Sequence, residues 1–165
     1  MGIRYYAWPM PDAAIGDVLA DPMTASNALD RETKDGWHAG LDKAWHDLQR
    51  YLLAPAERPT GMLAGCCPGE ALPVRPAGLL LRGSVRDGPG GHHPYFGVVS
   101  SAYLPLVARD LALIDIDALE RWVADPSSDS RWKGSPTYAS SHLVELRELV
   151  SAWAAAGLGA MYCIR

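Results

Sequence analysis

The sequence is short of cysteine, of net positive charge and of long apolar runs, and each shortage excludes a class of protein. Its three cysteines include the adjacent pair Cys66 and Cys67, which does not form a disulfide framework, so we expect a reducing compartment, the cytoplasm. A net charge of −4 speaks against a nucleic-acid partner. No stretch approaches the roughly 18 apolar residues of a membrane span, and the N-terminus lacks the pattern of a secretory signal. A soluble protein without membrane contacts is predicted.

The common catalytic and nucleotide-binding signatures are also missing. The sequence contains no G-x-S-x-G, no H-E-x-x-H, no G-x-x-x-x-G-K-[ST] and no C-x-x-C, and no strand followed by G-x-G-x-x-G. These absences favour a protein that is not an enzyme and that uses no cofactor.

The composition predicts one domain over residues 1–165. Hydrophobic residues make up 48% of the chain and charged residues 21%, which is typical of globular proteins and unlike disordered ones. No internal repeat and no Ser-, Gly- or charge-rich linker divides the chain.

The N-terminal half predicts a strand and two helices. Ile3–Trp8 is rich in aromatic residues and ends at Pro9, which favours a strand, and a short helix is expected over about 12–20. Residues 23–35 show no periodicity and are interpreted as a loop. The strongest pattern predicts a helix over Gly36–Leu53, because its apolar residues fall on one stripe. These residues are Trp37, Leu41, Ala44, Trp45, Leu48 and Leu52.

The C-terminal half predicts three helices and a final strand. Residues 61–97 are rich in Gly and Pro and contain the apolar islands Met62–Ala64 and Gly78–Leu81, so they are expected to be loop with one or two short strands, and Tyr95–Val99 is expected to be another short strand. Helices are expected from about 100 to 113, from a capping box at Asp117 to 125, and from 140 to Gly157, with 126–138 as a loop. Residues 159–164 are almost entirely apolar, which is typical of a strand inside a sheet. We therefore predict an α+β fold: a small mixed or antiparallel sheet that includes both chain termini, covered by about five helices on one face.

Four segments, in this order along the chain, resemble the YfbM-like family of bacterial proteins. The segments are Met1–Ala7, Leu41–Leu48, Tyr95–Leu113 and Ala154–Ile164. The resemblance implies an α+β fold in a small cytoplasmic bacterial protein of unknown function, with no catalytic residues to transfer. This sequence departs from the family at Gln49 and Arg50, where members often carry a histidine-containing pair, so a site centred on that histidine would be altered here.

The first candidate site combines His38, Asp42 and His46, spaced four residues apart on the predicted helix. By helical geometry these residues lie beside or opposite the apolar stripe. If one face of the helix is buried, they form an exposed polar flank. If the helix is packed on both sides, His46 and Asp42 would be a buried acid–base pair, the predicted catalytic residues of an enzyme.

The second candidate is an aromatic pocket, because the sequence has six Trp and seven Tyr against one Phe. Phenols and indoles combine apolar area with a polar tip and can orient a small ligand. Tyr6, Trp45, Tyr95 and Tyr138 are the predicted ligand-binding residues, and Tyr5, Trp8 and Trp132 belong to the same aromatic set. The alternative is that these rings simply build the core and its loops.

The pairs Cys66–Cys67 and His92–His93 are the remaining candidates. Zinc sites usually separate the two ligands of a pair by at least two residues, so these adjacent pairs predict no metal site. His92 and His93 are expected in a Gly-rich loop. Neither cysteine has a predicted base or cation beside it that would make it a nucleophile.

Two hypotheses about function follow from these patterns. The first is a non-enzymatic binding protein that recognises a protein partner or a small ligand, with an immunity-type or regulatory role. The alternative is a small hydrolase or lyase that uses His46 and Asp42 in an aromatic-lined pocket.

Overall fold

The computed structural model describes residues 3–33, 36–54, 63–66, 73–83, 86–88 and 91–165; for 63–66, 86–88 and 91 it describes the backbone alone. Short 3-10 helices cover Asp12–Ala14 and Pro76–Leu80. The other elements, in chain order, are β1 (Tyr5–Met10), α1 (Ile15–Ala20), α2 (Pro22–Glu32), β2 (Ala39–Asp42), α3 (Trp45–Leu52), β3 (Leu63–Cys66), β4 (Arg86–Gly88), β5 (Gly91–His93), β6 (Tyr95–Val99), α4 (Leu104–Ala112), α5 (Ile116–Ala124), α6 (Pro136–Ala155) and β7 (Gly159–Ile164).

The two ends of the chain pair at the centre of a five-stranded sheet. β1 and β7 run antiparallel with Tyr5 opposite Ile164 and Met10 opposite Gly159. The strand order is β2-β1-β7-β6-β3, in which only the edge strand β3 runs parallel to its neighbour. The predicted α+β fold, with a mixed sheet that contains both termini, is confirmed.

Helices cover both faces of this sheet, not the single face that the sequence predicted. Tyr162 and its alternate neighbours in β7 pack toward the core shared with α3 to α6. Met161 and Cys163 point the other way, into a smaller core against α1 and α2. Because β7 is buried on both faces, its sequence is almost uniformly apolar.

The predicted helix Gly36–Leu53 is wrong in its first half, because Ala39–Asp42 form β2 and α3 begins at Trp45. Ala39 and Leu41 are both 1% exposed and lie two residues apart, as inward residues of a strand do. Leu41 also lies at helical spacing from Trp45, so periodicity alone cannot separate the two structures. Trp37, predicted to face inward, is 43% exposed.

The predicted loop at 23–35 contains α2. Asp21 caps this helix by accepting a hydrogen bond from the Thr24 amide at 3.1 Å, and Pro22 takes the first helical position. Only Ser26 in α2 is fully buried. Asp21 and Pro22 mark the start of the helix, but it has no apolar stripe, so the hydrophobic periodicity of the sequence does not predict it.

The starts of α5 and α6 also differ from the prediction. Asp115, not Asp117, caps α5, since its carboxylate accepts hydrogen bonds from the amides of Asp117 and Ala118. α6 begins at Pro136, so the predicted loop over 126–138 is too long. The positive φ of Gly157 ends α6 as expected. None of the helices in the described ranges combines the length and hydropathy of a membrane span.

Two described parts of the Gly- and Pro-rich middle of the chain differ from the prediction. Gly78–Leu81, an apolar island in a region expected to contain one or two short strands, lies mostly in the 3-10 helix Pro76–Leu80, and Leu79, Leu80 and Leu81 are buried. The segment before Tyr95, expected as a loop, contains the antiparallel pair β4 and β5.

Gly97 provides a test of the packing between the central strands. It lies opposite Tyr162, whose ring stacks on Tyr5 at a centroid distance of 5.6 Å and lies 6.2 Å from Tyr95. A Cβ atom at position 97 would overlap the Tyr162 ring. We expect Gly97→Ala to lower the free energy of unfolding by about 1–3 kcal/mol, because the neighbouring rings leave no space for relaxation.

Urea unfolding measures this effect, and Gly40→Ala is the matched control. Gly40 also lies in the sheet, in β2, but a Cβ atom there meets no heavy atom within 4 Å. An equal loss of stability in both variants would contradict the proposed overlap.

Candidate functional site

The first turn of α3 places three side chains of different character next to one another. Trp45 is 7% exposed, the side chain of His46 is 12% exposed and Asp47 is fully buried. The chain reaches this turn from β2 through Asp42, whose φ of +42° lies in the left-handed region. An acidic residue in the first turn is favourable because the N-terminal end of a helix carries partial positive charge.

Asp47 holds the loop 130–132 against α3. Its carboxylate accepts hydrogen bonds from the Ser130 hydroxyl at 2.7 Å and from the backbone amides of Arg131 at 2.9 Å and Trp132 at 3.2 Å. The fourth contact is the longest, 3.5 Å from the Nδ1 atom of His46. Burial alone would raise the pKa of Asp47, but the hydrogen bonds from His46 and the loop outweigh it and hold the pKa below its usual value. Asp47 is therefore an ionised, buried anchor.

Arg50, one turn further along α3, holds the same loop from its other end. Its Nη1 atom donates to the backbone carbonyl of Asp129 at 2.6 Å and pairs with the Asp129 carboxylate at 2.8 Å. Residues three apart in a helix lie on one face. This face of α3 thus fixes the loop at 129–132 by two ionic side chains.

A cavity of about 190 Å³ lies between this loop and the start of α3. It is lined by Ile3, Lys43, Trp45, His46, Arg131 and Trp132. The Trp45 ring meets the His46 ring edge-on at 5.5 Å, and the Nζ atom of Lys43 lies 5.9 Å from the centre of the Trp132 ring. We call this cavity the His46 pocket. It combines the indoles of Trp45 and Trp132 with the side chains of Lys43, His46 and Arg131.

A second polar cluster adjoins the His46 pocket at Tyr138. The Tyr138 hydroxyl donates to Asp42 at 2.7 Å and accepts from the Lys43 amide at 3.4 Å, while Arg4 lies 3.3 Å from the other oxygen of Asp42. The hydrogen bond from Tyr138 is the main cause that holds the pKa of Asp42 below its usual value, and the charge of Arg4 adds to it. The Tyr138 ring also lies 5.2 Å from that of Trp132. The two clusters therefore share a wall.

The predicted acid–base pair does not form as expected, because Asp42 and His46 lie on different elements. Asp42 ends β2 and contacts Tyr138, whereas His46 contacts its neighbour Asp47. His38 precedes β2 and shares no helix face with either residue. The sequence carried no signal for Asp47, because its burial and its place in the first turn of α3 appear only in the structure.

The four predicted ligand-binding aromatic residues lie in three separate places. Trp45 lines the His46 pocket, and Tyr138 lies beside it. Tyr95 is fully buried in the larger core, next to Tyr162. Tyr6 stacks on Trp8 at 6.1 Å on the opposite face of the sheet. Lys43 and Arg131 complete the pocket, and the sequence carried no signal for them because they meet only in the fold.

The histidine pair is not among the described residues that line this pocket. His92 and His93 are exposed on β5. Cys67 and the side chain of Cys66 lie outside the described residues. Within the described ranges, no three Asp, Glu, His or Cys side chains converge in a way that would hold a metal ion.

The comparisons with known proteins concern the fold. The crystal structure of YfbM from Escherichia coli, described as a protein of unknown function, matches 99% of this chain and 100% of its own with a TM-score of 0.57. The chain has the fold of YfbM. The resemblance expected from the sequence is thereby confirmed for the fold, at an identity of 16%. No protein-family model matches the chain, and no curated protein matches it.

The residue that departs from the YfbM-like pattern has a structural role in this chain. Gln49 is 5% exposed, and its side-chain amide donates to the backbone carbonyls of Leu81 and Gly83. It does not line the His46 pocket. Gln49 therefore links α3 to residues 81–83, which follow the 3-10 helix Pro76–Leu80.

The ionised state of Asp47 makes its contribution to the free energy of unfolding dependent on pH. We expect Asp47→Asn to lower the free energy of unfolding at neutral pH by about 2–4 kcal/mol, because it removes a buried charge that accepts several hydrogen bonds. The folded pKa of Asp47 lies below its unfolded value of about 4, so its contribution is present above that pH and is lost as the pH falls further.

Urea unfolding at neutral and acidic pH measures this difference. The gap between wild type and Asp47→Asn should narrow below about pH 4. The control is Asp129→Asn, whose carboxylate is exposed and should contribute less than about 1 kcal/mol. A gap that is independent of pH would contradict the ionised state of Asp47.

Tyr138→Phe tests whether the hydrogen bond from Tyr138 lowers the pKa of Asp42 more than the charge of Arg4 does. We expect this substitution to raise the pKa of Asp42 toward its usual value, since it removes the main stabilising hydrogen bond. Arg4→Gln should raise the same pKa by less. Carboxyl NMR titration of the two variants measures both shifts, and the reverse order would show that Arg4 dominates.

Proposed function

We propose that the protein binds a small ligand with an anionic group in the His46 pocket. The observation that carries the proposal is the lining of the cavity: Lys43, Arg131 and His46 line it together with the indoles of Trp45 and Trp132, and none of the described residues that line it is a carboxylate. Cationic and aromatic groups in one cavity favour a planar molecule with a negative charge.

The positive charges at the His46 pocket are available to a ligand. Within the described ranges, neither Lys43 nor Arg131 forms a salt bridge. The two nearby carboxylates already have donors, since Asp42 accepts from Tyr138 and Asp47 is held by the loop and His46. Asp42 attracts Lys43 without forming a salt bridge with it, so a ligand carboxylate or phosphate would add a direct ionic partner.

The walls of the His46 pocket are held in place before any ligand binds. The backbone amides of Arg131 and Trp132 are bonded to Asp47, so the loop does not need to order itself on binding. Such preorganisation reduces the entropic cost of association. The volume, below the roughly 300 Å³ at which drug-sized pockets begin, favours a small molecule over a protein segment.

Ligand binding can be tested with benzoate, acetate and inorganic phosphate as probes and with benzamide as a neutral match for benzoate. We expect benzoate to bind more tightly than benzamide, as measured by calorimetry and by thermal stabilisation. Lys43→Gln should weaken benzoate binding about tenfold, because it removes a charge-assisted contact. Trp132→Leu should weaken it by removing a wall.

The control for these variants is Arg109→Gln, which removes an exposed positive charge from α4 and does not line the pocket. If benzamide binds as well as benzoate, or if Arg109→Gln has the same effect as Lys43→Gln, the anionic specificity is wrong. Preference for phosphate over both carboxylates would assign the ligand to the phosphate class.

A hydrolase or lyase is the second candidate, and the contact between His46 and Asp47 favours it. With Asp47 ionised, Nδ1 of His46 donates to it, and Nε2 is the ring nitrogen left to accept a proton. The proposed acid–base pair is thus His46 with Asp47 in place of Asp42. Turnover of small esters that disappears in His46→Gln while benzoate still binds would favour this function over binding alone.

The proposed location is the bacterial cytoplasm. Cys163 lies buried in β7 as a free thiol, and burial raises its pKa to about 12. An unpaired, unreactive thiol fits a reducing compartment. A role as a regulatory or immunity-type protein remains compatible with ligand binding and is part of the same proposal.

A further inference from the structure

We propose a second binding site, for a small cation with an apolar body, where the end of β1 meets the end of α2. A pocket of about 420 Å³ opens there. Its walls include Met10 from β1, Leu29 from α2 and Leu158 just before β7, and its rim includes Glu32 and Trp37. We call it the Trp37 pocket. Its volume falls within the range of small-molecule sites, roughly 300–1,000 Å³.

The Trp37 pocket is separate from the His46 pocket in both position and chemistry. Met10 and Leu29 belong to the smaller core, on the face of the sheet covered by α1 and α2. Trp45, which lines the His46 pocket, belongs to the larger core on the opposite face. The two pockets share no lining residue.

The charge of the Trp37 pocket is negative. Among the described residues that line it, Glu32 is the one ionisable side chain. It is the last residue of α2, and the C-terminal end of a helix carries partial negative charge from its unpaired carbonyl groups. The neighbouring Arg31 turns back along the helix, where its Nε atom donates to the Asn27 carbonyl at 3.1 Å. The carboxylate of Glu32, at the C-terminal end of α2, therefore favours a cation in this pocket.

Trp37 adds an aromatic surface beside these negative groups. It is 43% exposed, although a tryptophan side chain gains more from burial than almost any other. An indole face attracts an ammonium group in addition to an apolar ring. In an arylalkyl amine, the ammonium group would pair with Glu32 and the aromatic ring would pack on Trp37. Met10, Leu29 and Leu158 add apolar lining for the rest of the molecule.

The experiment uses the full-length protein labelled with fluorotryptophan and observed by fluorine NMR. Trp37→Phe assigns the resonance of Trp37 among the six tryptophans. The probe is phenethylammonium, and phenethyl alcohol and hydrocinnamate are its neutral and anionic counterparts. We expect phenethylammonium to shift the Trp37 resonance in a saturable way and to bind at least about threefold more tightly than either counterpart.

Two variants separate the charge from the cavity. Glu32→Gln should weaken phenethylammonium binding and remove most of its advantage over phenethyl alcohol. Glu148→Gln, which removes an exposed carboxylate on α6 that does not line the pocket, should leave binding unchanged. Trp132→Leu, in the other pocket, should also leave it unchanged.

Three results would overturn the proposal. The first is a Trp37 resonance that does not respond to millimolar phenethylammonium. The second is equal affinity for phenethyl alcohol and phenethylammonium. The third is an equal change in phenethylammonium affinity in Glu32→Gln and Glu148→Gln. Each of these results leaves the benzoate experiment on the His46 pocket unaffected, so the two sites are tested independently.

Discussion

The antiparallel pairing of the two ends of the chain is the constraint on which the rest of the fold depends. β1 and β7 pair along their whole length, and the backbone groups of Arg4 and Arg165 extend the ladder with hydrogen bonds in both directions. β7 lies between β1 and β6, and all six of its residues are buried, so helices cover both of its faces. The larger helical layer covers one face and the pair α1 and α2 covers the other, and each layer produces its own pocket at its margin.

Asp47 has the corresponding role within the candidate site. A buried carboxylate is unfavourable unless hydrogen bonds compensate for the lost water, and here the loop at 130–132 provides them. The same bonds that keep Asp47 ionised also set the positions of Arg131 and Trp132. Stability and site geometry therefore depend on one carboxylate, and His46 contacts its Oδ1 atom, which also accepts from the Arg131 amide.

The two pockets differ in charge although the chain carries only a small net charge. Lys43, Arg131 and His46 surround one cavity, whereas Glu32 and the end of α2 border the other. Net charge is a sum over the whole surface, and local charge decides which ligand a cavity favours. Three of the tryptophans also line these pockets: Trp45 and Trp132 line the His46 pocket, and Trp37 lines the other.

The sequence by itself predicted the fold class and a sheet that contains both chain ends, because its first and last segments both have the apolar composition of strands. It did not predict the second helical layer, which covers the other face of β7. It also determined that His46 and Trp45 are neighbours in a helix and that Gly157 ends α6. It did not determine that Ala39–Asp42 form a strand, since Leu41 suits either a strand or a helix until β1 is beside it. Only the tertiary structure brought Asp47 to Ser130 and Lys43 to Trp132, because contacts between residues more than 80 positions apart leave no local pattern in one sequence.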